Sequence, residues 1–155
     1  MTKKIFLATL GYLLVTFALG ASWHFAFFPE LYHRFGIYSR AEPIIPLGVL
    51  SMVPQGLVMA LIYPRWYRGE APLAAGLKFG LLMGLFLFSV STLANAAKIN
   101  VNGLGSFILV QAAFHALQFA AAGAVFGFIF GRLDMNSRLS SIGAARPTTV
   151  QSSTH

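Results

Sequence analysis

Few residues in this 155-residue chain are equipped for chemistry, and most of those lie inside long apolar runs. Gln111, His115 and Gln118 recur at spacings of four and three, which puts them on one face of a helix. Ser51 and Gln55 share a face in an earlier run, and Ser91, Asn95 and Lys98 share one in a third. In the first run, Thr9, Tyr12, Thr16, Gly20 and Trp23 form a stripe with His24 beside its far end. Amides, hydroxyls and imidazoles are hydrogen-bonding groups, and exposing them to lipid costs free energy. These stripes must therefore turn inward or meet another subunit. Two outcomes stay open. One is a set of interhelical hydrogen bonds, each worth on the order of 0.6 kcal/mol. The other is a pocket for an amphipathic ligand, lined by His115, Gln111, Gln118, Asn95, Gln55, His24 and Trp23. His115 favours the pocket, because an ionisable side chain deep in an apolar run is uncommon and often functional.

Other chemistries find less support. His24, His33, His115 and His155 lack metal-ligand spacing, and no carboxylate lies within the apolar runs to join them. Haem held by His24 and His115 is disfavoured, because helical rise sets the two about 10 Å apart in depth. Glu30, His33, Arg34 and Glu42 lie in a connecting segment and read as solvated charges rather than a hydrolytic site. Proton-coupled transport usually relies on an intramembrane Asp or Glu, and the apolar runs hold none. With no cysteine there is no disulfide or thiol chemistry. No catalytic residue, metal or cofactor is expected.

The elements that must position these residues are four apolar segments, at about residues 5–28, 44–63, 72–97 and 104–131. Each exceeds the roughly 18 residues of a transmembrane helix. A chain that is 57% hydrophobic and 10% charged is too apolar for a soluble domain of this size. The expected fold is all-α, an antiparallel bundle of four transmembrane helices. Residues 1–131 form the membrane domain, and residues 132–155, rich in Ser, Thr and Ala, form a disordered cytoplasmic tail. Lys3, Lys4 and the following apolar core resemble a signal peptide, but apolar residues continue through Phe28, so an uncleaved anchor is expected. Pro54 should kink the second span. Asn102-Gly103 should turn a hairpin between the third and fourth.

Charge sets the orientation. Lys3, Lys4, Arg65, Arg68, Arg132, Arg138 and Arg146 fall on one side, and Arg34, Arg40 and Lys98 on the other. The positive-inside rule then places both termini in the cytoplasm of an inner membrane. The net charge of +7 reads as contact with anionic lipid rather than nucleic acid. Tyr63, Trp66 and Tyr67 are expected in an inner aromatic belt, and Trp23, Tyr32 and Tyr38 in an outer one. Gly76, Gly80 and Gly84 face Gly123, Gly127 and Gly131 in an antiparallel hairpin and should form its packing seam.

Gly20-Ala21-Ser22-Trp23-His24, followed by Phe28 and Gly36, resembles the start of a family of small bacterial four-helix membrane proteins of unknown function. That resemblance implies a fold and no activity. The functional expectation is a protein that binds a lipid-like or amphipathic small molecule, or an accessory subunit of a membrane complex. An oligomeric transporter or channel subunit is the alternative, and a small membrane enzyme comes third. Membrane lipids, and a homo-oligomer or larger complex, are the expected partners.

Overall fold

The computed structural model describes residues 2–38, 40 and 42–144, the side chains of 132–144 excepted. Among these residues the regular structure is all helical, without strands. Helix α1 (Thr2–Ala21) continues into a wider π-helical turn, Ser22–Phe27. Helix α2 (Pro29–Phe35) follows, then α3 (Ile45–Trp66) and α4 (Pro72–Phe88). Helix α4 runs into a second π-helical turn, Ser89–Leu93, and the single turn α5 (Ala94–Ala96). Helix α6 spans Leu104–Ala144. Four stretches are long and apolar enough to cross a membrane: Thr2–Phe27, Ile45–Trp66, Pro72–Ala96 and Leu104–Gly131.

The expected segments appear, with changes at their ends. Helix α3 runs through Pro64 to Trp66, because the Arg65 guanidinium bonds the Leu61 carbonyl and the Tyr67 N–H bonds that of Tyr63. Pro54 lies inside α3 and supplies no N–H to the ladder. Helix α6 continues past Gly131 to Ala144, where the sequence suggests a tail. Residues 132–142 contain neither Gly nor Pro and include good helix formers such as Leu, Met and Arg. The remainder of the expected tail, 145–155, lies outside the described residues.

The connection after the first span, expected as a loop, carries α2. Pro29 occupies its first turn, where a missing N–H costs nothing. Gly36 ends it at a φ of 72°, the left-handed conformation that favours glycine. Asn102 then clips this end to the α5–α6 turn. Its N–H bonds the Phe35 carbonyl at 3.0 Å, and its side-chain amide bonds the Arg34 carbonyl at 3.2 Å.

Helix α4 packs most extensively on α6, and the glycines explain why. A Cβ at Gly76 would fall on the carbonyl of Gly123, one at Gly80 on that of Phe119, and one at Gly127 on that of Pro72. Positions rising along α4 meet positions falling along α6, so the two helices run in opposite directions. The backbones touch because no side chain holds them apart.

Two aromatic clusters lie at opposite ends of this scaffold. One gathers Tyr12, Met59, Tyr63, Phe79, Phe119, Phe126 and Phe130; the other gathers Tyr32, Phe35 and Phe107. Tyr63 and Tyr32 are fully buried in them, which corrects their expected place in aromatic belts. Trp66 and Tyr38 are exposed, while Tyr67 and Trp23 are half-buried. Helix α3 buries only Gly56, Met59, Ala60 and Tyr63, all in its C-terminal half. Its N-terminal half stands away from the other helices.

Candidate functional site

Because α3 is held at one end only, a half-open cavity of about 990 Å³ lies between its N-terminal half and α1, α2, the end of α4 and α6. It borders both aromatic clusters, through Phe119 at one and Ile37 at the other. The α3 wall is largely apolar, with Ile45, Leu47, Val49 and Met52. The opposite wall carries Thr16, His24, Ser91, Gln111, His115 and Gln118. Gln55 and Ser51 project from α3, and Arg40 lies in the segment between α2 and α3. Among the described residues no Asp or Glu lines the cavity.

Five of the seven residues singled out from the sequence therefore share one cavity: Gln55, Gln111, His115, Gln118 and His24. Two do not line it. Asn95 is exposed, and its amide bonds the Ser91 carbonyl of its own helix at 2.8 Å. The π-helical turn before it breaks the straight-helix spacing that aligned it with Ser91. Trp23 is half-buried against Phe28 and Phe114, and its indole N–H donates to the Tyr32 hydroxyl at 3.1 Å.

Hydrogen bonds hold the polar wall in a defined arrangement. The Tyr32 hydroxyl accepts from Trp23 and donates to Gln111 Oε1 at 2.9 Å. An indole N–H is donor only, so Trp23 sets the direction of this relay. Burial pushes the Tyr32 hydroxyl up to about 12, so it stays a proton donor throughout the physiological range. On the other side, the Tyr12 hydroxyl donates to Gln55 Oε1 at 2.7 Å.

His115 is buried and its ring stacks on Phe119 at 6.1 Å. Its Nδ1 lies 2.8 Å from the Gln111 carbonyl, which can only accept, so Nδ1 carries a proton. In the neutral ring Nε2 is then the acceptor, and Ser91 Oγ, 2.9 Å away, donates to it. Ser91 Oγ also lies 2.7 Å from the Leu87 carbonyl and has that acceptor as a second choice.

His24 sits on the first π-helical turn, its Nδ1 3.3 Å from the Tyr38 hydroxyl. Its ring packs on Phe114 at 5.0 Å, and the His115 ring packs on the same phenyl at 5.7 Å. The two imidazoles thus flank one phenyl ring. An axial haem ligand needs a free ring nitrogen, and both nitrogens of His115 are engaged.

Tyr32 and the two π-helical turns were not marked by spacing, while Tyr12 and Thr16 were read as part of the first span's polar stripe but not as pocket lining. Tyr32 looks like an interfacial tyrosine until α2 folds back over the cavity. Thr16 is 3% exposed and lines the cavity beside the Tyr12 hydroxyl. π-Helical turns are rare and often lie at functional sites. One of these places His24 and the other Ser91 on the cavity wall. The Ser89 hydroxyl reaches the Phe86 carbonyl, satisfying an acceptor beside the widened turn. Compared with known protein families, curated proteins and solved structures, the chain matches none, and the resemblance around residues 20–24 gains no support from them.

Proposed function

We propose that this chain is an inner-membrane protein whose four long helices form an antiparallel bundle with cytoplasmic termini, and that its cavity binds a lipid-like or other amphipathic small molecule. The observation that carries the reading is the contrast between the cavity's walls. One is largely apolar, the other sets uncharged polar groups among apolar ones, and the space between them is about 990 Å³. Ligand pockets generally hold roughly 300–1,000 Å³, with mostly apolar walls and a few placed polar groups. The exposed Phe6, Leu14, Leu50, Leu85, Phe86, Leu109 and Phe128 suit a surface solvated by lipid tails. The gap beside the free half of α3 gives an amphiphile a lateral way in from the bilayer.

Gentle purification followed by native mass spectrometry tests this. A lipid or other amphiphile retained in defined stoichiometry, and lost from a Gly48→Phe variant that fills the apolar wall, is the expected result. Gly48 has open space beside its Cβ position, so this substitution does not strain the helix contacts. Copurification of a stoichiometric protein partner with an empty cavity would instead mark an accessory subunit.

A further inference from the structure

One pair on the cavity wall has the geometry of a nucleophile and its base. Ser91 Oγ lies 2.9 Å from His115 Nε2, and His115 Nδ1 lies 2.8 Å from the Gln111 carbonyl. The carbonyl can only accept, so the neutral ring keeps its proton on Nδ1 and turns the lone pair of Nε2 toward the serine. A hydroxyl against an imidazole that is oriented in turn by a third group is the arrangement that activates serine. Here a backbone carbonyl does the orienting that a carboxylate often does, and it adds no charge to an apolar site.

The surroundings suit that chemistry. Both residues line the cavity, and Ser91 is exposed while His115 is buried. The rings of Phe88, Phe114 and Phe119 pack against the imidazole and hold it in place. Ser91 sits on the second π-helical turn, a rare local geometry that often marks functional sites. Gln111 lines the same cavity, and the Tyr32 hydroxyl holds its Oε1, which leaves its amide N–H groups to receive a developing oxyanion. The Leu87 carbonyl, 2.7 Å from Ser91 Oγ, competes with Nε2 for the serine proton, so turnover should be slow.

We propose that Ser91 and His115 form a dyad that hydrolyses a carboxylic ester of an amphiphile bound in the cavity, with Ser91 as nucleophile and His115 as general base. The proposal rests on the ligand-pocket reading above. Ser91 Oγ attacks the ester carbonyl carbon as its proton passes to His115 Nε2. The bond from that carbon to the alcohol oxygen breaks, and the alcohol leaves with the proton. Water entering through the half-open side then attacks the acyl group on Ser91 and gives a proton to Nε2. The carboxylic acid departs as that proton returns to Oγ.

The test adds three probes to the full chain in detergent: a decyl fluorophosphonate, para-nitrophenyl decanoate, and the ether analogue of that ester. The fluorophosphonate should lose fluoride and leave one phosphonyl group on Ser91, located by peptide mass spectrometry. His115→Phe keeps the ring packing and should slow this labelling about 100-fold or more. Cleavage of the decanoate should disappear in Ser91→Ala. No adduct on Ser91 of the unaltered chain overturns the dyad whether or not either variant folds, and so does undiminished cleavage by Ser91→Ala. Binding of the ether analogue, read by native mass spectrometry, then separates the two readings: if it binds, the pocket stands without the dyad, and if it does not, both fall. Fatty acid released from phosphatidylglycerol in mixed micelles would identify the source as a membrane phospholipid; release from the decanoate alone would identify a free fatty ester.

Discussion

At the scale of single residues, the site is governed by which side chain donates to which. Tyr32 is the clearest case. It is fully buried, accepts from Trp23 and donates to Gln111. Burial is the main cause that raises its hydroxyl from 10.0 to about 12, with Tyr38 adding to the rise and the Trp23 bond opposing it. Below pH 10.0 the hydroxyl is protonated in both folded and unfolded chains, so its contribution is intact. Between pH 10.0 and about 12 the unfolded chain ionises first, and stability is lost as pH rises. Thermal melting in detergent should therefore fall more steeply over this window in the unaltered protein than in Tyr32→Phe; parallel curves would refute the assignment. His115 makes a second case. His115→Phe keeps the ring packing while Ser91 falls back on the Leu87 carbonyl. The loss of stability should stay near 1 kcal/mol, while retention of the copurified amphiphile drops. Loss of stability and retention together would mean that His115 serves only as a link between helices.

At the scale of elements, the α4–α6 seam and the free half of α3 have opposite characters. Gly80 and Gly127 meet backbone on the facing helix, so a side chain there forces the pair apart. Gly80→Leu and Gly127→Leu should each cost about 2 kcal/mol or more, read as a lower melting temperature in detergent. Leu82 is 45% exposed, and Leu82→Ile should change stability by less than about 0.5 kcal/mol. Equal melting of all three variants would show that the seam does not carry the fold. Helix α3 has no comparable seam in its N-terminal half. Where it does pack, Gly56 lies under the Tyr12 ring, and an added Cβ would sit 2.8 Å from that ring. The cavity exists because α3 is fastened at that end and not at the other. Spin labels at Leu47 and Phe17, which both line the cavity, should report a broader distance distribution than labels at Met59 and Ala8. Equally narrow distributions at both ends would show α3 to be rigid throughout.

At the scale of the whole molecule, the prediction concerns orientation. Lys3, Lys4, Arg65 and Arg68 flank one end of the spans, and Arg34, Arg40 and Lys98 the other. Reporter fusions after Arg68 and after Arg138 should both report cytoplasm, and one near Gly36 the exterior. Signals from opposite sides for Arg68 and Arg138 would refute the four-span arrangement.

The number of long apolar helices, their approximate limits and the glycine seam were legible in the sequence. Each depends on local composition or on a fixed helical period: apolar runs of sufficient length, prolines at residues 29 and 72, and glycines every four residues. The shared face of Gln111, His115 and Gln118 was legible for the same reason. The period was also where the sequence misled. It aligned Asn95 with Ser91, because a straight helix was assumed where a π-helical turn intervenes. Tyr32 and Tyr63 have the composition of interfacial residues, and only the folding of α2 and α6 over them decides that they are core. The cavity itself has no sequence signal. It is a space left between α3 and its neighbours, and it exists only once Gly56, Met59, Ala60 and Tyr63 have fastened one half of that helix and left the other free.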